Sequence, residues 1–221
     1  MNNLKTLLFK RFKVVFILTT SMIFCVVLLM IRMKITHSFF YLFLVWNLFL
    51  AVIPYAITTY LISKPKLNKF LFTLIFIIWL LFLPNAPYLI TDLLHLRLSP
   101  LDIIWLDVLI VISFAMNGLV LCFLSILDME LLLRKYFSSK KVSYIIIAIF
   151  FLVGFGIYLG RFLRFNSWDI IQQPFTLLKD ILQIIYYPNQ HFKAWLFSFS
   201  FGMFLSIGFY LFKEKHSIHN I

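Results

Sequence analysis

Six apolar runs constrain this chain more than any other feature. They cover about 14–31, 39–62, 70–83, 103–127, 142–160 and 192–212, with short polar or basic joints between them. Roughly 20 apolar residues carry an α-helix across a bilayer core. Backbone in lipid must satisfy its own N–H and C=O groups, so only helices or a closed barrel can span. The runs are continuous rather than alternating, which selects helices. The expected fold is therefore all-α: a polytopic membrane helix bundle of six transmembrane helices with short interfacial helices on its outer face. Residues 1–221 read as a single integral membrane domain. Composition agrees, with 63% hydrophobic and 13% charged residues, against about 25% charged in soluble domains.

The net charge of +12 would suggest nucleic acid in a soluble protein. Here the basic residues flank apolar runs, which makes them topology signals and contacts for anionic membrane lipids. No nucleic-acid partner is expected. Lys5, Lys10, Arg11 and Lys13, then Lys64, Lys66 and Lys69, then Arg134, Lys135, Lys140 and Lys141, then Lys213 and Lys215 make thirteen of the twenty Lys and Arg. The alternate joints hold seven. The excess of positive charge predicts that both termini are cytoplasmic. Five of the eight acidic residues (Asp92, Asp102, Asp107, Asp169, Asp180) fall on the opposite, outer side. The first run ends in Met30-Ile31-Arg32-Met33-Lys34, not in small residues, and reads as a permanent helix.

Polar chemistry concentrates in two stretches of the outer side. In the first, Pro84 ends a short third span, and Asn85 is placed to cap a short helix with Pro87 in its first turn. On that helix Tyr88, Asp92 and His95, at i, i+4 and i+7, share a face. A carboxylate beside an imidazole can do acid–base work or carry a proton. A metal would need a third ligand, and only Asp107 is near a helix start, so no metal site is assigned. The bland alternative is that Asp92 and His95 hydrogen-bond and fix the loop. In the second stretch Arg161 and Arg164, at i and i+3, would point together at a phosphate or carboxylate. Snorkelling to headgroups, or pairing with Asp92 or Asp107, is the alternative. Trp168 stands beside them.

Smaller expectations follow. Ser99-Pro100-Leu101-Asp102 looks like the start of the fourth span. Asn166 or Ser167 with Asp169 looks like a capping box for an interfacial helix over 168–187. Pro54 is expected to kink the second span. Asn47, Thr58 and Asn117 suit hydrogen bonds between helices. Cys25 and Cys122 are expected to be small buried hydrophobes.

The segment Phe82-Leu83-Pro84-Asn85-Ala86-Pro87-Tyr88-Leu89-Ile90-Thr91-Asp92-Leu93, the pair Asn117-Gly118, and the segment from Gly156 to Asp169 that contains Gly160-Arg161-Phe162-Leu163-Arg164 resemble the domain-of-unknown-function family 1361 of bacterial membrane proteins. The resemblance implies a bacterial plasma-membrane protein with several spans. It implies no activity, catalytic residue or cofactor.

The first functional reading is a membrane-embedded site open to the outer face, acting on an anionic, lipid-linked substrate. Asp92 and His95 would do acid–base chemistry, Arg161 and Arg164 would hold a phosphate, and Asn85, Tyr88 and Trp168 would position it. The alternatives are a transporter or channel, and a non-catalytic scaffold or accessory subunit. Ion coupling wants charge near the midplane, where this chain offers only Asn47 and Asn117.

Overall fold

The computed structural model describes residues 6, 9, 11–64 and 68–218, the last four by backbone alone. Lys5, Lys10, Lys66 and the side chain of Lys215, all used in the charge count, lie outside the described residues. Helices are α1 (Phe12–Thr36), α2 (Phe43–Ser63), α3 (Lys69–Phe82), α4 (Asn85–Tyr88), a 3₁₀ helix (Leu89–Leu98), α5 (Ile104–Leu133), α6 (Ser139–Phe162), α7 (Asp169–Gln172), α8 (Pro174–Tyr186) and α9 (Phe192–Ile218). No strand occurs among the described residues. Six helical segments are long and apolar enough to cross a membrane, as the six runs require.

All six segments shift from their expected limits, and the third and fourth overrun an expected stop. The third does not stop at Pro84. Pro84 keeps helical angles (φ −58, ψ −28), and the segment runs from Lys69 to Leu98 as α3, the α4 turn and the 3₁₀ helix. Proline ends an α-helix by removing a donor and crowding the preceding turn, but here Leu83, Pro84 and Leu89 all keep right-handed helical angles and side chains add local bonds. Asn85 Nδ2 donates to Phe82 O at 2.9 Å, and Thr91 Oγ1 donates to Tyr88 O at 2.7 Å. The fourth span, expected to end near 127, continues to Leu133 and takes Asp128 and Glu130 with it. Both carboxylates are buried and ion-paired, so neither forces the helix to end.

The chain forms two compact units, Met1–Asp128 and Met129–Ile221. Lipid tails are as apolar as leucine, so close packing and polar contacts, rather than expulsion of water, hold membrane helices together. In the first unit α1 and α5 run antiparallel and meet through polar pairs. Arg11 binds Asp128 through two bonds of 2.6 and 2.7 Å, and Arg32 binds Asp107 near the other helix ends. Between them Asn117 Nδ2 donates to Ser21 Oγ at 2.9 Å and to Cys25 Sγ at 3.2 Å, the inter-helix role expected of it. Thr58 also meets a second helix, its hydroxyl 3.5 Å from Ser125, which accepts Trp79 Nε1 at 2.8 Å. Both cysteines are free and buried. Gly118 explains the Asn-Gly pair: a Cβ there would collide with the carbonyl oxygen of Ala86 and come within 2.8 Å of Leu89. The α4 turn thus sits against the middle of the 30-residue α5.

The second unit packs α6 against α9, also antiparallel. A Cβ on Gly154 would lie 2.5 Å from Ser198 O, and one on Gly202 would lie 3.1 Å from Phe150 O. Aromatic rings line this seam, with Phe151 and Phe199 at 4.5 Å and Phe150 and Phe209 at 5.4 Å between centroids. Glu130 closes one end, accepting from Lys213 at 2.6 Å and from Arg134 at 2.7 Å.

Candidate functional site

The Arg32 end of the first unit gathers charged and polar groups from α1, the α1–α2 joint, α2, the 3₁₀ helix and α5. Arg32 leaves the last turns of α1 and is buried. Its Nε donates to Asp107 Oδ1 at 3.0 Å and its Nη2 to Oδ2 at 3.4 Å. Its Nη1 donates to Ser38 O at 3.3 Å, and the guanidinium lies 4.9 Å from the centre of the Tyr41 ring. Removing two charges from water costs several kcal/mol per ion, and only such a full set of partners offsets it. Tyr41 in turn shares a 2.8 Å hydrogen bond with Ser99. Burial pushes the Tyr41 phenol above its usual range, and the Ser99 bond draws it partly back.

Asp92, on the 3₁₀ helix, has a different setting. It is 0% exposed. Asn47 Nδ2, one turn into α2, donates to its Oδ2 at 3.1 Å. Its other oxygen, Oδ1, is 3.8 Å from His95 Nε2, beyond a direct hydrogen bond. The His95 ring rests on Phe43 and Phe40 at 5.0 and 5.9 Å, and its side chain is 30% exposed. A fully buried carboxylate is therefore adjacent to an imidazole that reaches the surface. That arrangement suits passing a proton between the interior and the exterior of the unit.

The helix that carries Asp92 and His95 is 3₁₀ rather than α, and with three residues per turn the two, at i and i+3, eclipse and share a face. Asn85 does not cap α4. Pro84 holds the cap position, and Asn85 is the first helical residue, bonded to the turn before it. Asn85 and Tyr88 lie on the turn against mid-α5, deeper than a site at a helix end would need. Ser99-Pro100-Leu101-Asp102 forms a turn and not the first turn of α5, which begins at Ile104. Ser99 spends its hydroxyl on Tyr41 instead of a cap.

In the second unit Arg161 lies in the last turn of α6, partly exposed. Arg164 does not follow it at helical spacing. The helix ends at Phe162, and Arg164 turns the chain with φ 63, in the left-handed region. That cap lets Phe165 N reach back to Leu159 O at 3.1 Å. Glycine is the usual residue there, and arginine costs about 1–2 kcal/mol. The two guanidinium groups therefore do not point together by helix geometry. Asp169 Oδ2 accepts from Asn166 N at 2.6 Å, one half of the expected capping box, but neither Asn166 nor Ser167 takes the cap position of the helix. Trp168 occupies the cap position of α7.

Among the described residues no group of three His, Cys, Asp or Glu side chains comes together as a metal site. Asp107, the nearest third carboxylate, is taken by Arg32.

Sequence reasoning missed Arg32, Tyr41 and the partner of Asn47. Arg32 and Asp107 carried one available signal: opposite charges inside the end turns of two apolar runs, at the same predicted face. Counted as a joint residue, Arg32 passed for a topology signal.

A comparison with protein families matches residues 46–207 to the family described as protein of unknown function, DUF1361. No curated protein and no solved structure matches the chain. The match begins in α2 and ends in α9, taking in the Asn47–Asp92 contact, the α4 turn and the glycine seam of the second unit. The chain belongs to the DUF1361 family.

Proposed function

We propose that this multi-pass membrane protein handles an anionic, lipid-linked substrate at the Arg32 end of its first unit, with Asp92 and His95 as its proton-transfer pair. One observation carries the reading: a fully buried carboxylate lies 3.8 Å from an imidazole whose side chain is 30% exposed. Exposed Lys34 and Arg97 lie on the same helix ends and give a negative headgroup a favourable field. On the positive-inside rule, this end faces outward from a bacterial plasma membrane, with both termini cytoplasmic. Asn85 and Tyr88 then belong to the membrane-buried floor of the site. In the second unit, Arg161, Arg164 and Trp168 fall on one basic and aromatic stretch suited to a phosphate or carboxylate.

A second reading, carriage without chemistry, is favoured by the broken third span. Transporters often bind their substrates where a crossing helix is interrupted near mid-depth, and the α4 turn lies against mid-α5.

Native mass spectrometry of the protein released in mild detergent tests both readings, comparing wild type with Asp92→Asn. The expected result is a bound anionic species on each, of different mass, because the variant holds a substrate that it cannot turn over. The same mass on both would replace the acid–base reading with carriage. No anionic species on either would overturn both.

A further inference from the structure

We infer that α8 is a lipid-surface helix, with Phe175, Leu178, Leu182 and Ile185 set among acyl chains at the membrane boundary. The inference is independent of the Asp92–His95 reading. At about 1.5 Å per residue the 13-residue α8 is roughly 20 Å long, too short to cross a core of about 30 Å. Its surface divides into three strips. Leu177 and Ile184 are buried in the second unit. Phe175, Leu178, Leu182 and Ile185 follow at steps of three, four and three residues, so they form one stripe. All four are exposed, Phe175 by 86%. Thr176, Lys179 and Gln183 make the third strip, polar and exposed.

A bare apolar stripe at this spacing could seat a second helix or meet lipid. Two observations select lipid. Trp195, in the first turns of α9, donates its Nε1 to Ile184 O at 3.1 Å, which ties the end of α8 to the start of a membrane-crossing segment. That same start shows its own exposed apolar residues, Phe192, Leu196 and Phe199, so the segment to which α8 is tied itself presents a surface apolar enough for acyl chains. Tyr186 and Tyr187, exposed at the end of α8, are the aromatic residues that favour the headgroup level. Lys179 borders the stripe and can extend to anionic headgroups while its stem stays in the apolar layer.

The test places a small environment-sensitive fluorophore on single cysteines in a background with Cys25 and Cys122 replaced by serine. Positions Leu178, Leu182, Thr176 and Gln183 are all exposed, so labelling does not disturb packing, and a melting curve for each labelled protein confirms this. The full chain is reconstituted into vesicles of phosphatidylethanolamine and phosphatidylglycerol. Lipids with a nitroxide high on the acyl chain should quench Leu178→Cys and Leu182→Cys several-fold more than Thr176→Cys and Gln183→Cys, with aqueous iodide giving the reverse order. Equal iodide quenching at all four positions would overturn the inference. So would protection of Leu178→Cys from both quenchers together with cross-linking between copies, because a second chain would then occupy the stripe.

Discussion

The two units solve the same packing problem with different chemistry. The first joins α1 to α5 through polar contacts at three levels: Arg11 with Asp128, Asn117 with Ser21 and Cys25, and Arg32 with Asp107. The second brings α6 and α9 together at Gly154 and Gly202, where backbone meets backbone, and fills the flanks with phenylalanine. A glycine seam tolerates no side chain but asks for no partner. A buried charge tolerates exchange of shape but fails when its partner goes. The first kind of joint fixes distance, and the second fixes register.

That contrast can be broken most visibly at Gly154. Leucine there would force α6 off α9, with a loss beyond the roughly 1–3 kcal/mol of ordinary overpacking. Size-exclusion chromatography in detergent should show little monodisperse protein, and a normal yield would end the seam account. Next in size is Asp107→Ala, which strands Arg32 and should cost about 3–5 kcal/mol by thermal unfolding. Adding Arg32→Met should recover most of that loss, which would sharpen the difference between a partner-dependent joint and a shape-dependent one. Replacing Arg164 by glycine relieves the left-handed cap and should raise stability by about 1 kcal/mol. The smallest effect is at Asn117: alanine removes its bonds to Ser21 and Cys25 for about 0.6 kcal/mol, the typical worth of such bonds between membrane helices.

The spans were legible because their signal is local: an apolar run of sufficient length is enough to place a helix in a membrane. Much of what escaped the sequence was tertiary. Pro84 reads as a stop, yet it keeps helical angles and the crossing continues to Leu98, with Asn85 and Thr91 bonded to carbonyls of the turns before them. Asp128 and Glu130 read as a joint, and their partners, distant Arg11 for the first and distant Lys213 with local Arg134 for the second, make them tolerable inside α5. The pairing of Arg32 with Asp107 spans 75 residues and depends on which helices become neighbours, a choice that spacing does not encode. Asp92 and His95 were legible as neighbours at i, i+3, a spacing that the 3₁₀ helix also keeps on one face. The left-handed Arg164 had no local signal, since arginine is not a residue that marks such a turn.

On the proposed function, two buried carboxylates at one end of the first unit have different duties, Asp107 holding the helices and Asp92 working with His95. Thermal unfolding of Asp107→Asn and Asp92→Asn, side by side in the same detergent, tests it most directly. Each change keeps the shape and removes one charge. The account predicts a clear fall in stability for Asp107→Asn, which takes the counter-charge from Arg32, and a change within about 1 kcal/mol for Asp92→Asn, whose new amide oxygen still accepts from Asn47. Equal losses in the two variants would contradict it, and would make Asp92 another joint of the scaffold.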